Sequence, residues 1–283
     1  MADYFKEFIP EKWAAQILAA KDKVHVFGGL ANRNYQGEIQ NSGDTVRIGS
    51  IGEVTINDYT RSNWGTGLTI QPMDNTQLIL KIDQEKYFTV AVDDVDIKQQ
   101  ATANLENSIQ QKAGYNLGEN QDKYLASLYT QAGINQGSTA IACGSSNIED
   151  TILDLASLMD ESNIQREGRY LVIPPWMHQR AVAAGIADKT ANDQMWANGF
   201  AGRAYGFDLY MSNNVSNTAS TSVWNCIAGV GSESLTIAEQ IVKVTRGMLE
   251  DSLKGFGPYW AGLHVYGARY IPDRTAVLPV SKV

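Results

Sequence analysis

The chain has 283 residues, 43% of them hydrophobic and 19% charged, which supplies enough apolar material for a folded core and excludes a disordered protein. Its 31 acidic residues outnumber its 23 basic ones, for a net charge of -8, and no segment is rich in Lys and Arg. This balance excludes a protein that holds nucleic acid by neutralising phosphates, and no apolar run reaches the roughly 18 residues of a membrane span.

Residues 1–42 are expected to form an N-terminal arm. They begin with acidic residues and lack the apolar segment of a secretory signal peptide. Trp13, Ile17 and Leu18 stand at helical spacing, and the open stretch FGGLANRNYQGEIQNSG follows them. Because that stretch is rich in glycine and asparagine, which favour turns, we interpret the region as an arm and not as a core element.

Between residues 43 and 92 the pattern changes to short β-rich runs separated by turn residues. The runs are DTVRIGSI, EVTIND, LTIQP, QLILKI and KYFTVAV. The last two, at 77–82 and 86–92, are separated by DQE and predict a hairpin. The middle of the region, residues 58–67, is polar and contains glycine. The sequence therefore predicts an extended β loop whose polar tip projects from the domain behind it.

A long helix is predicted over residues 93–131. Asp93 and Asp94 suit its N-cap, and apolar residues then recur at every fourth position. This stripe comprises Ile97, Ala101, Leu105, Ile109, Ala113 and Leu117. Gly114 and Gly118 each weaken a helix by about 1 kcal/mol relative to Ala, so the sequence predicts a bend near them.

From residue 136 to 235 helical and β-rich patterns alternate, which predicts an α/β region. We expect helices at 147–160 and 176–185 and strands at 169–173, 207–211 and 223–230. The last fifty residues contain three further β-rich runs, IVKVTRG, LHVYGARYI and TAVLPVSK, which predict antiparallel strands.

The sequence contains no recognisable catalytic or metal-binding motif. Its three histidines and two cysteines lack metal-ligand spacing, and neither a nucleophile elbow nor a phosphate-binding lysine loop is present. The stretch GFAGRAYG has the wrong spacing for a dinucleotide site and is interpreted as a flexible loop. Helix capping explains Asp93 and Asp94 better than a metal site with Asp96 does, and His178 has no local partner that would orient a catalytic base. We therefore expect a protein without enzymatic activity, metal or cofactor.

The order of these parts, together with three local stretches, resembles one family. GRYLVIPPWMHQRAV, GFAGRAYGFDLYMSNNV and RYIPDRTAVLPVSKV resemble segments of the major capsid protein of tailed bacteriophages. The resemblance covers essentially the whole chain and implies the α+β fold named after phage Hong Kong 97. In that fold the parts would be an N-terminal arm (1–42), an extended β loop (43–92), a peripheral domain with a long spine helix (93–135 and 236–283) and an axial domain (136–235).

The resemblance implies a structural protein that self-assembles, as pentamers and hexamers, into an icosahedral virion shell. The shell would enclose double-stranded DNA without binding it specifically, because like charges repel. Further partners would be a separate scaffolding protein, unless a scaffolding segment has been removed, with a portal and a decoration protein. Cys143 and Cys226 are too few for a disulfide framework, which favours assembly in the reducing cytoplasm of the host bacterium. The alternative is an encapsulin-type nanocompartment shell of the same fold.

Two sets of residues follow from this resemblance as candidate functional positions. Asp58, Arg61 and Trp64 on the polar tip, with Arg203 and Asp208, are predicted to contact neighbouring subunits. Gly114 and Gly118 are predicted to let the spine helix bend.

Overall fold

The computed structural model describes residues 25–34, 45–51, 55–58, 75–93, 105–137, 139–186, 200–218, 222–249 and 255–282. Within these ranges the α-helices are α1 (Val26–Leu30), α2 (Leu105–Ser127), α3 (Ile148–Glu161) and α4 (Pro175–Ala183). Short 3-10 turns lie at Leu128–Gln131, Gly231–Glu233 and Pro272–Arg274.

The strands of the described residues fall into three sheets. The first is a two-stranded ribbon of β1 (Thr45–Ile51) and β2 (Asn75–Lys81). The second contains β3 (Gln84–Ala91), β11 (Leu235–Met248) and β12 (Pro258–Tyr270). The third is built from β4 (Ile134–Asn135), β5 (Ile141–Cys143), β6 (Arg169–Ile173), β7 (Phe200–Ala204), β8 (Phe207–Met211), β9 (Ser216–Thr218), β10 (Val223–Val230) and β13 (Thr275–Lys282).

The eight-stranded sheet holds the main hydrophobic core. Its principal order is β4-β13-β10-β6-β8-β7, with β5 beside β13 and β9 beside β10. Every residue of β6 is buried, as expected for an interior strand that is covered on both faces. α3 packs its apolar face, including Ile152, Leu155 and Met159, into this core. The predicted strands 169–173, 207–211 and 223–230 are confirmed, and both predicted helices shift by no more than two residues.

The C-terminal strand β13 belongs to the eight-stranded sheet. Residues 275–282 were grouped with 236–274 in a peripheral domain, but β13 pairs with β10, β4 and β5 in the eight-stranded sheet. The physical reason is burial: six consecutive residues of β13 are buried, and only an interior position in a covered sheet accommodates them. The domain boundaries themselves stay a prediction.

The predicted hairpin of 77–82 with 86–92 is wrong. β2 pairs with β1, whereas β3 pairs with β12 in a different sheet. Between the two strands the chain crosses over β12, where Leu80 and Ile82 are buried against Ala238 and Val265. A Cβ at Gly267 would lie 2.2 Å from the Lys81 carbonyl oxygen, so this crossing requires glycine on β12.

The spine helix is confirmed as a long amphipathic helix in its described part. α2 passes through Gly114 and Gly118 as regular helix, and both glycines are buried. Ala113, Leu117 and Leu125 of its apolar stripe are buried as well. The predicted N-cap at Asp94 and the residues up to 104 lie outside the described residues.

Two regions predicted to be loop or arm are ordered parts of the fold. Phe27 on α1 is 1% exposed and belongs to the main core, so residues 25–34 of the predicted arm pack on the core; residues 1–24 lie outside the described ranges. The stretch GFAGRAYG was predicted to be a flexible loop, but from Phe200 onward it belongs to a hairpin of β7 and β8. Tyr205 and Gly206 both have positive φ (50° and 86°), the signature of a two-residue type I′ turn. Conversely, residues 55–58, predicted as part of a strand, lie outside the strands of the described residues.

Candidate assembly surfaces

Among the described strands, β3 lies at the edge of its sheet and is unusually exposed. Six of its eight residues are exposed, and the large side chains Tyr87 and Val90 are 79% and 36% exposed. Its other edge pairs with β12 over eight residues, so the strand itself is well held. An exposed edge strand offers unpaired backbone groups and apolar side chains to another chain. This surface is therefore suited to contact between subunits.

The segment that follows the ribbon is exposed as well. All of residues 55–58 are exposed, and Ile56 is 94% exposed. Asp58 lies at the end of this segment and forms neither a hydrogen bond nor an ion pair with the described residues. Arg61 and Trp64, the other candidates on the predicted tip, lie outside the described residues. Of the three predicted tip residues, the structure therefore describes Asp58 alone.

Arg203 and Asp208 are brought together within one subunit. They occupy directly opposite positions on β7 and β8, and the Arg203 Nε lies 2.5 Å from Asp208 Oδ1. This pairing raises the pKa of the Arg203 guanidinium. The arginine side chain is exposed, and such surface pairs contribute little to folding because solvent screens them. Their predicted role between subunits stays a prediction.

A buried polar cluster, unnoticed in the sequence, joins residues 25–34 to the second sheet. Its centre is Glu239 on β11, whose side chain is 3% exposed. Gln121 Nε2 donates to Glu239 Oε2 at 2.6 Å, Arg33 Nη1 lies 3.3 Å from Oε1, and His264 Nε2 lies 3.4 Å from Oε2. A buried carboxylate persists only with such partners, because desolvation of its charge is costly.

A second buried carboxylate, Asp122, holds α1 itself. The backbone N–H of Gly28 donates to Asp122 Oδ1 at 3.2 Å, and Asn214 Nδ2 lies 3.4 Å from Oδ2. Burial raises the pKa of Asp122 above its ordinary value, against the charge of His25 and the hydrogen bonds, which lower it. Backbone hydrogen bonds between Asn32 and β11 complete the attachment. One signal in the sequence could have indicated this buried polar face. Gln121 lies four residues after Leu117 and four before Leu125, so it falls on the same apolar stripe of the helix.

The described residues show no arrangement of chemical groups that suggests catalysis. No group of three or more His, Cys, Asp and Glu side chains among them is placed to hold a metal ion. Within the same ranges, no helix combines the length and apolar character needed to cross a membrane. His178 lies in the first turn of α4 and is 7% exposed. Cys143 and Cys226 are free thiols, and burial raises the pKa of each.

A family model supplies the decisive comparison. The model described as phage capsid protein matches residues 78–280, more than half of the chain. The chain belongs to this phage capsid protein family. A comparison with curated proteins found no match.

Solved structures agree with the family. The phage capsid protein resembles a chain of Mycobacterium phage Che8 with a TM-score of 0.71 and 24% identity, covering 89% of this chain and 90% of that one. It resembles the capsid of cyanophage P-SCSP1u with a TM-score of 0.69 and 17% identity, covering 92% and 89%. A virus-like particle from Pyrococcus furiosus matches with a TM-score of 0.58 and 15% identity, covering 96% and 99%.

These matches confirm the predicted α+β, Hong Kong 97-like fold. The phage capsid protein is a structural protein that self-assembles into a multimeric shell, and its location is the virion capsid. The encapsulin alternative is supported less well than the phage capsid.

Proposed function

We propose that the phage capsid protein forms the pentamers and hexamers of an icosahedral shell that encloses double-stranded DNA. The observation that carries this proposal is the family match across residues 78–280. The net charge of -8 supports enclosure without specific binding, since a negatively charged protein repels the phosphates of DNA.

We infer further that the protein acts without catalysis and without a cofactor. His178, the one histidine that follows a strand end in the sequence, is buried at the start of α4. Its backbone N–H donates to the Pro174 carbonyl at 3.2 Å, and its ring lies away from solvent. A general base must reach the proton that it abstracts from a substrate, and a side chain in this position does not. Packing of the strand–proline–helix corner accounts for the residue.

The proposed partners beyond the protein itself are a separate scaffolding protein, a portal and a decoration protein. We place assembly in the cytoplasm of the host bacterium. Two buried, protonated thiols, Cys143 and Cys226, support a reducing compartment, because neither is engaged in a disulfide.

Contacts between subunits are proposed to use the extended β loop and the surfaces around it. Asp58, with Arg61 and Trp64 on the tip, would contact a neighbour, and the open faces of β3 supply further area for such contacts. Arg203 and Asp208, on the β7–β8 hairpin, are proposed to contact a second neighbouring subunit. The division into arm, extended β loop, peripheral domain and axial domain belongs to the same proposal, with β13 in the sheet of the axial part.

The experiment that tests this function is expression of the full chain followed by negative-stain electron microscopy and size-exclusion chromatography. We expect closed shells of uniform diameter, alone or with a co-expressed scaffolding protein. A monodisperse monomer under both conditions contradicts the proposal. Particles isolated from infected cells should contain double-stranded DNA; particles that contain only protein cargo would favour the encapsulin alternative.

A further inference from the structure

A pocket lies at the base of the β1–β2 ribbon, where the ribbon meets the spine helix and β12. It has a volume of ≈ 380 Å³. Leu78 and Ile79 on β2 and Leu128 at the end of the helix supply its apolar wall. All three are accessible to solvent in the single chain, and Ile79 is 43% exposed. We call this the ribbon-base pocket.

Two cations and one carboxylate line the ribbon-base pocket, which leaves an excess of positive charge. Lys81 and Arg269 form neither ion pair nor hydrogen bond through their side chains with the described residues, and Arg269 Nε is buried. Asp83 also lines the pocket, but its carboxylate already accepts the Tyr124 hydroxyl at 2.9 Å and Gln84 Nε2 at 3.2 Å. Because the side chains of Lys81 and Arg269 have no anionic partner in the described chain, the pocket is suited to an acidic group.

Residues 55–58 have the complementary chemistry. Ile56 is 94% exposed, and Asp58 is an exposed carboxylate without a partner in the described chain. In extended backbone, side chains two residues apart point to the same side. An isoleucine and an aspartate at that spacing match an apolar wall beside two cations.

The pocket lies at one end of the ribbon, and residues 55–58 follow the strand that leads to the other end. Thr45 pairs with Lys81 at the base, and Ile51 pairs with Asn75 at the far end, so six residue steps separate the ends. At about 3.4 Å per residue the ribbon is about 20 Å long. Ile56 follows Ile51 by five residues, at most about 18 Å of chain, so it does not reach the pocket at the base of its own ribbon.

We propose that Ile56 and Asp58 of one copy dock in the ribbon-base pocket of a second copy. Ile56 packs against the apolar wall, and the Asp58 carboxylate accepts hydrogen bonds from Lys81 and Arg269. The contact rests on the proposed shell function and identifies the receiving surface for the extended β loop. Because every copy carries both halves, it propagates from subunit to subunit.

The first test reverses charges on the two sides. Asp58→Lys and Lys81→Glu should each lower the yield of closed shells by about tenfold or more, because each places like charges together. The double variant Asp58→Lys with Lys81→Glu should recover the shells. Lys112→Glu and Asp154→Lys make the same charge changes at exposed helical positions and should leave the yield unchanged. A double variant that fails as both single variants do overturns the docking.

The second test is a cross-link. Cys143 and Cys226 are buried, so Asp58→Cys with Lys81→Cys introduces the only accessible thiols among the described residues. Oxidised shells of this variant should give a ladder of covalently linked chains on a denaturing gel, and neither single cysteine variant should. Well-formed shells without a ladder, or with links only within a chain, overturn the docking but leave the shell function intact. Failure of the unmodified chain to form any shell overturns the shell function instead.

Discussion

At position 27 a single phenylalanine determines where the segment before the extended β loop lies. Phe27 is 1% exposed and enters the core beside Leu125 and Tyr270, although GGLAN after it reads as an open turn region. The buried carboxylates Asp122 and Glu239 hold the Gly28 backbone and the Arg33 side chain, which follow it in the chain. One apolar contact, one hydrogen bond and one ion pair together explain why this short segment is part of the core.

Phe27→Ala should lower the free energy of unfolding by about 3–5 kcal/mol, because it removes a buried ring and leaves a cavity. Urea unfolding of the full-length chain, followed by circular dichroism, measures the change. Phe256→Ala is the matched control: Phe256 is 72% exposed, and we expect a change within about 0.5 kcal/mol. Equal effects of the two variants would show that Phe27 does not hold the segment.

Asp122 predicts a dependence of stability on pH. Burial raises its pKa in the folded protein above 3.8, so between that value and the raised one the folded state binds more protons than the unfolded state. Its contribution to stability therefore falls as the pH rises through this window. Asp122→Asn lacks the ionisation, and its stability relative to the natural chain should increase as the pH rises.

Urea unfolding of both proteins at several pH values above 3.8 measures this difference. Asp154→Asn on the exposed face of α3 is the control, since a solvated carboxylate loses little hydration on folding. A constant difference between Asp122→Asn and the natural chain across the range contradicts the prediction.

At the scale of elements, the crossing between β2 and β3 depends on the absence of a side chain on β12. Gly267→Ala would bring a Cβ to 2.2 Å from the Lys81 carbonyl oxygen and 2.8 Å from the Ile82 Cα. Because these are backbone atoms, the crossing must shift, and we expect a loss of about 1–3 kcal/mol in unfolding free energy. Gly29→Ala, which meets nothing within 4 Å, should be neutral or slightly stabilising. Thermal unfolding of both variants measures these changes. A Gly267→Ala variant as stable as the natural chain would show that the crossing accommodates a methyl group.

The spine helix carries the second prediction at this scale. Gly114 and Gly118 are one turn apart on the buried side of α2, where glycine weakens a helix by about 1 kcal/mol per site relative to Ala. We propose that they allow the spine to bend when the shell changes between immature and expanded arrangements. Gly114→Ala with Gly118→Ala should bias the shell toward one of these states and shift the midpoint of heat-induced expansion. A midpoint equal to that of the natural protein would leave the glycines with a packing role alone.

At the scale of the whole molecule, the extended β loop is expected to act between subunits and not within one. Deletion of residues 58–67 should leave a soluble, folded subunit that no longer forms closed shells. Circular dichroism checks the fold, and negative-stain microscopy checks the shells. Replacement of residues 58–67 by a glycine-serine linker of equal length is the control for chain connectivity and should fail in the same way. Full-size shells from either variant would contradict the expected role of the loop.

The sequence by itself determined the class of the molecule and most of its regular elements. The strands 169–173, 207–211 and 223–230 and the helices that alternate with them follow from local apolar periodicity, which depends only on neighbouring residues. The order of the parts was enough to predict the family and the shell function, which the family match confirms.

Only the tertiary structure decided which strands pair and which polar groups are buried. β2 and β3 are adjacent in sequence yet lie in different sheets, because the long-range packing of Leu80 and Ile82 across β12 outweighs the short connection between them. Asp122 and Glu239 read as surface residues, since a carboxylate is normally solvated unless distant partners compensate its charge. Those partners come from residues that are 94 and 118 positions away in the chain, and no local pattern records contacts at such separations.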